Sequence, residues 1–135
     1  MDAPAIEREI EIDLSTEELW ELISTAEGWR SWLVDDVDID VRVGAAGIAI
    51  DDDVRRAIAV EHVGDSEVRF VWCDEEGEVS RVTISIDDSD DGSRLRISEQ
   101  WLAPTRCADC PLRAERRWDL RACLLCLGAL APCRA

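Results

Sequence analysis

Two C-x2-C pairs are the sharpest chemical signal in the chain: Cys107-Ala108-Asp109-Cys110 and Cys123-Leu124-Leu125-Cys126, twelve residues apart. Two thiolates at that spacing can take adjacent corners of a tetrahedron, with Zn–S near ~2.3 Å. Paired C-x2-C motifs in a reducing compartment point to a zinc site. Cys123 and Cys126 stand at i,i+3, so a helix carrying them presents both sulfurs on one side. Arg106, Arg113, Arg116, Arg117 and Arg121 lie around the pairs. Their charge would favour thiolates and partly offset the double negative charge of a zinc tetrathiolate. The site has one geometric condition. Cys110 and Cys123 are thirteen positions apart, and a continuous helix would hold them ~20 Å apart at 1.5 Å per residue, so that stretch must begin as loop, which Pro111 permits. A closed tetrathiolate would be structural, tying a 103–112 loop to the last helix. Two other readings stay open: a dithiol/disulfide switch, and unconnected cysteines packing as small hydrophobes. Cys73 and Cys133 fall outside the pairing.

The second constellation comes from period two. Ile58, Val60 and His62 share one strand face, Val68, Phe70 and Trp72 another, and Leu95, Ile97, Glu99 and Trp101 a third. If these faces look inward, with Trp20 added, they line a cavity of aromatic side chains holding two polar groups, His62 and Glu99. A concave apolar site with few polar groups is how ligand pockets are built. A buried Glu beside an imidazole would also make an acid–base pair. The alternative is that Trp72 and Trp101 simply fill core. No Gly-rich phosphate loop or nucleophile motif is present. The acidic runs Asp35-Asp36, Asp51-Asp52-Asp53 and Asp87 to Asp91 lack the spacing of a calcium loop and read as solvated turns.

The elements that must position these residues follow from the same periodicities. Residues 6–14 alternate, with Ile6, Ile10, Ile12 and Leu14 on one face and acids on the other; Arg8 interrupts the apolar face. Ser15 with Glu18 forms a capping box for a helix whose apolar residues are Leu19, Trp20, Leu22 and Ile23. A second short helix, 26–32, carries Trp29 and Trp32. Strands are expected over 37–43, from 48, and over 55–63, 67–73, 79–87 and 94–102, with turns at Gly64-Asp65, Glu75-Glu76-Gly77 and 88–92. Residues 113–130 read as one Leu-rich helix ending before Pro132. A meander of antiparallel strands has one face to cover, and the last helix is long enough to cover it. The class is α+β.

Composition bounds the partners. A chain of 135 residues is about one domain. Its net charge is −16, from 31 acids against 15 bases, all of them Arg. Phosphate binding needs a basic face, so neither nucleic acid nor an anionic membrane is an expected partner. The longest apolar stretch, 122–131, is shorter than the roughly 20 residues of a spanning helix, and residues 1–8 carry no apolar secretory core. These features place the expected home in the cytoplasm, where thiols are reduced. Charge also divides the chain. Residues 1–103 carry 9 Arg and 28 acids, a net of −19; residues 104–135 carry 6 Arg and 3 acids, a net of +3, with five of the six Cys.

Laid out in order, these segments resemble the SRPBCC superfamily, the START-like helix-grip fold. Within it the chain looks like the branch of homologues of the activator of the Hsp-type chaperone ATPase. Glu7-Arg8-Glu9-Ile10 to Leu14 leads into Ser15-Thr16-Glu17-Glu18-Leu19-Trp20, where that family has a strand, a short helix and an aromatic. Trp29 to Trp32, Ile39 to Gly47, Arg81-Val82-Thr83-Ile84, Gly92-Ser93-Arg94-Leu95 and Trp118 match later stations. The likeness spans roughly 5–102 and 114–130; the 103–112 loop and the helical Cys depart from it. It implies a curved sheet gripping a long helix over an apolar cavity, in a family that binds lipophilic or aromatic small molecules and sometimes catalyses cyclisation or dehydration. The expectation is a non-enzymatic binder of an apolar or aromatic molecule, with the cysteine quartet as a structural zinc clamp. The alternatives are a thiophilic-metal or thiol-redox sensor or carrier, and an enzyme of the cyclase or dehydratase type. A monomer or homodimer is expected, and a chaperone partner does not follow from the fold.

Overall fold

The computed structural model describes residues 5–51, 53–90 and 92–102 and helix 110–130, whose side chains are described over 112–126. The chain runs β1 (Ala5–Ile12), α1 (Thr16–Ser24), α2 (Ala26–Trp32), β2 (Asp36–Asp38), β3 (Ala46–Asp51), β4 (Val54–Val63), β5 (Glu67–Asp74), β6 (Val79–Ser89), β7 (Gly92–Trp101) and α3 (Cys110–Leu130). The seven strands form one antiparallel sheet in the order β1-β7-β6-β5-β4-β3-β2. β2 to β7 are a meander closed by short turns. β1 and β2 lie on opposite edges, so the α1–α2 segment joining them must cross the whole sheet face. That crossing, together with α3, covers the concave side.

Alternation decides which residues look inward. β6 pairs Val82, Ile84 and Ile86 with Glu99, Ile97 and Leu95 of β7; all six are buried. Arg81, Thr83 and Ser85 face the other way and are half-exposed, as the period-two reading expects. The helix that approaches β6 is α1, while α3 packs on β1 and α2. Arg8, the break in the apolar face of β1, reaches α3 and donates to Asp119 Oδ1 at 2.9 Å.

The helix starts follow local chemistry. Ser15 Oγ accepts from Glu18 N–H at 3.1 Å and the Glu18 carboxylate accepts from Ser15 N–H, the expected capping box. Thr25 caps α2 by accepting from Gly28 N–H at 2.9 Å. Trp29 and Trp32 are buried, and their indole N–H groups donate to Ile23 O and Leu22 O in α1 at 2.6 and 2.8 Å. Each buried polar tip is thereby satisfied. No helix among the described residues is long and apolar enough to cross a membrane.

Two expected segments differ. The strand expected over 37–43 shrinks to Asp36–Asp38, because Val43 lies outside the pairing and is 62% exposed. Gly47, expected as punctuation, lies inside β3, where an added Cβ would come within 3.0 Å of Asp38 and Ile39. Glycine there lets β3 pass against the β2 backbone.

Candidate functional site

Instead of an apolar void, the centre of the concave face holds a packed column of rings. Trp29 of α2 lies 5.1 Å from Phe70, Phe70 lies 5.1 Å edge-on to Trp72, and Trp72 stacks at 6.2 Å on Trp118 of α3. The expected cavity wall of Phe70 and Trp72 is therefore core, and the column joins α2, the sheet and α3. Trp20 is half-buried on α1 and is not among the residues that line the cleft between the sheet end and α3.

Along the inner face the apolar run gives way to polar residues at one end. On β3 the sequence Ala49, Asp51 continues the inner row; on β4 it is Ile58 and then Arg56; on β5, Trp72 and then Asp74; on β6, Val82 and then Ser80. The β3–β4 hairpin aligns these ends, with Asp53 at φ 65° in the tight turn; Asp tolerates that left-handed conformation better than most residues. The result is a cleft of about 830 Å³ between the sheet end and α3, lined by charged side chains with Trp101, Leu120 and Leu124 among them.

Glu99 is the centre of this end. It is 1% exposed. Its Oε1 accepts from Arg117 Nη2 at 2.6 Å and Trp118 Nε1 at 2.9 Å; its Oε2 accepts from Ser80 Oγ–H and from Trp72 Nε1 at 3.2 Å. A buried carboxylate is tolerated when it is paired and hydrogen-bonded, and here β6, β5 and α3 all contribute donors. Asp51, also 1% exposed, accepts from Arg121 Nη2 and lies 3.4 Å from Arg117 Nε. That second contact is an ion pair without hydrogen-bond geometry, since Arg117 Nε has no hydrogen-bond partner. Arg121 also reaches Asp35 Oδ1 at 3.1 Å. Burial works against the Arg121 charge, but hydrogen bonds and charge from Asp51 and Asp35 outweigh it and hold the guanidinium above the ordinary arginine value.

The acid–base pair of His62 and Glu99 does not form. β4 carries a register shift between Val60 and His62, so His62 pairs with Arg69 and Val63 takes the inner position opposite Val68. The bulge turns His62 outward, 3.7 Å from Glu67 and 44% exposed. A period-two reading carries no sign of a bulge, which shifts every later residue to the other face.

The cysteine quartet lies only partly within the described residues. α3 is continuous from Cys110, so the loop that the quartet needs after that residue is helix instead. The helical rise then separates the backbones of Cys110 and Cys123 by ~20 Å. Cys107 and the Cys110 side chain lie outside the described residues. Cys123 is exposed and Cys126 half-buried, both free. Burial, then the neighbouring Cys123, pushes the Cys126 thiol up. Of the arginines expected to activate the thiols, Arg117 and Arg121 turn inward to Glu99 and Asp51, and Arg106 lies outside the described residues. Among the described residues no three metal-ligating side chains converge.

Sequence reasoning missed Asp51, Arg56, Arg117 and Arg121 as one cluster. Asp51 was expected in a solvated turn and is buried. Its signal, and that of Arg56, was legible: both continue the inner parity of their strands. Arg56 sits with its Cζ 4.7 Å from the centre of the Trp72 ring, and Arg117 lies 5.4 Å from the rings of Trp72 and Trp118. Burial first, and then the Arg117 charge, lowers the Arg56 pKa from its ordinary value against the pull of Asp51, Glu99 and Asp74.

No protein-family model matches the chain, and no curated protein matches it in sequence. Solved structures do. DynU16, a protein of the dynemicin biosynthetic locus, superposes with a TM-score of 0.82 at 16% identity over 94% of this chain. The chain has the helix-grip fold. It spans about half of DynU16, 47% of that chain. The same helix grip recurs in protein BH1534 of Bacillus halodurans, at TM-score 0.72 and 21% identity over 90% of this chain and 94% of that one. It recurs in the Aha1 dimer of Colwellia psychrerythraea, at TM-score 0.74 and 15% identity over 93% and 96%. At these identities the likeness is one of helix-grip architecture alone.

Proposed function

We propose that this helix-grip domain is a non-enzymatic small-molecule binder whose ligand lies in the cleft between the polar sheet end and α3. The observation that carries the reading is the cleft itself, about 830 Å³, a size within the ordinary range of ligand pockets. Its apolar contacts come from Trp101, Val54, Leu120 and Leu124, so the ligand has an aromatic or otherwise apolar body. Glu99 spends both oxygens on Arg117, Trp118, Ser80 and Trp72, which supports a binding site over an acid–base site. The test is titration with the neutral fluorophore N-phenyl-1-naphthylamine. Micromolar binding is expected, weakened about tenfold by Leu120→Asp, a change at an exposed position on the cleft lip. Absence of binding by this probe and by its anionic sulfonate analogue would end the reading.

Cys123 and Cys126 favour a second reading. They lie one turn apart on α3, close enough for Cys123 to raise the Cys126 thiol pKa. Two such pairs, from two copies of the chain, would make one tetrathiolate zinc site and a homodimer. Elemental analysis separates the possibilities: one zinc per two chains in a chelator-sensitive dimer supports this arrangement, one per chain in a monomer restores the intrachain quartet, and under about a tenth ends the zinc reading.

A further inference from the structure

Among the described residues, each of the two buried carboxylates of the cleft has its arginine. Asp51 and Glu99 are matched by Arg121 and Arg117. Arg56 is a third cation on the same inner face, half-buried and opposite Asp74 in the β4–β5 register, yet among the described residues no carboxylate lies in ion-pair contact with it. Its Nε is buried without a hydrogen-bond partner. Its Cζ lies over the Trp72 ring, 4.7 Å from the centre, a cation–π contact that occupies none of the guanidinium's N–H donors and leaves them to receive a ligand. Leaving a buried guanidinium donor unpaired is costly, and a planar carboxylate matches its fork with two parallel hydrogen bonds. Apolar residues flank it: Val54 precedes Arg56 on the inner row of β4 and is 38% exposed, and Leu120 and Leu124 across the cleft are 60% and 38% exposed. From this juxtaposition we infer that the ligand of the cleft is an amphipathic monocarboxylate, its acid head on Arg56 and its apolar body along Val54, Leu120 and Leu124. This inference rests on the small-molecule reading and names the ligand class. Arg56 neutralises one negative charge; the acids that line the cleft, among them Asp74, Glu75, Glu76 and Glu78, disfavour a second.

The test is calorimetric titration at neutral pH and ~0.15 M salt with four probes: naphthalene-1-acetate, its neutral amide, free acetate and the dianion 1-naphthyl phosphate. The acid should bind about tenfold or more tighter than the amide, the value of a charge-assisted pair, and tighter than acetate and the phosphate. Arg56→Gln should bring acid and amide to equal affinity, and Arg56→Lys should keep part of the difference; thermal melting of each variant checks the fold. Where Arg56→Gln fails to fold, Arg56→Lys decides, since loss of the planar fork alone should narrow the ratio. Equal binding of acid and amide by the native protein, or an acid preference that survives Arg56→Gln, overturns the inference while the cleft reading stands. A phosphate preference replaces the carboxylate and overturns the ligand class. Binding of N-phenyl-1-naphthylamine with no binding of naphthalene-1-acetate overturns the inference alone; failure of every probe overturns both.

Discussion

Glu99 shows how one residue can be readable as buried and unreadable as to role. Its strand parity places it inside; only its partners show that it is a staple between β7, β6, β5 and α3. Glu99→Ala would take the hydrogen-bond acceptor from Arg117 Nη2 and from the Trp118 indole N–H, while Trp72 Nε1 would keep Ser80 Oγ at 2.9 Å; loss of one partner of a buried ion pair costs about 3–5 kcal/mol. Urea unfolding should register that loss, with Glu99→Gln costing less because the amide oxygen still accepts. The cysteines make a second prediction at this scale. In the metal-free protein iodoacetamide should label exposed Cys123 before half-buried Cys126, read by mass spectrometry of the peptide. The raised thiol pKa of Cys126 means that the folded state holds that proton more tightly than the unfolded chain. Its contribution is full below the ordinary thiol value of ~8.5 and is lost as pH rises through the raised one. The melting temperature should fall in that alkaline window, and fall less in Cys126→Ala.

At the scale of elements, strand alternation and capping were sound guides. Ile84 of β6 is fully buried at the inner position that its neighbours dictate. Ile84→Ala should cost about 2–4 kcal/mol as a core truncation, measured by denaturant unfolding; a value near zero would contradict the register. The α1–α2 corner offers a sharper test. An added Cβ at Gly28 would meet Glu21 O at 2.5 Å and Leu22 Cα at 2.6 Å, both backbone atoms. Gly28→Ala should therefore cost about 1–3 kcal/mol by overpacking. Trp29 and Trp32, whose indoles bond to the end of α1, should lose their fixed environment, seen as a change in near-ultraviolet circular dichroism. Elements failed to be legible where pairing partners decided them. Residues 39–43 alternate like a strand, yet no neighbouring strand hydrogen-bonds to them. His62 obeys period two on paper, yet the bulge before it resets the face.

For the whole molecule the decisive number is charge. With 31 acids against 15 Arg, the folded state concentrates more negative charge than its ion pairs neutralise. Outer-face pairs such as Arg94–Glu9 and Arg81–Glu61 are solvent-exposed and individually worth ~0–1 kcal/mol, so screening them costs little. Screening the net repulsion gains more. The melting temperature should rise between ~0.05 and 1 M sodium chloride, measured by calorimetry; a fall would mean that the outer-face pairs outweigh the repulsion.

The sequence by itself determined the class of the fold: a half-buried first strand, two short helices of which the first is capped by Ser15, a meander and a closing helix, set by local periodicity and cap chemistry. It also determined which faces of β5, β6 and β7 look inward, because alternation needs no knowledge of partners. Tertiary structure alone decided what those faces meet. Whether inward Trp residues line a void or fill it depends on Trp29 and Trp118 arriving from distant helices, and they fill it. Whether Asp51 is a solvated turn residue or a buried anion depends on Arg121, seventy positions away. Whether Arg117 activates a thiol or pairs a carboxylate depends on the rotation of α3 about its axis. Charge and burial are properties of neighbours in space, and neighbours distant in sequence come together only when the sheet closes on the helices.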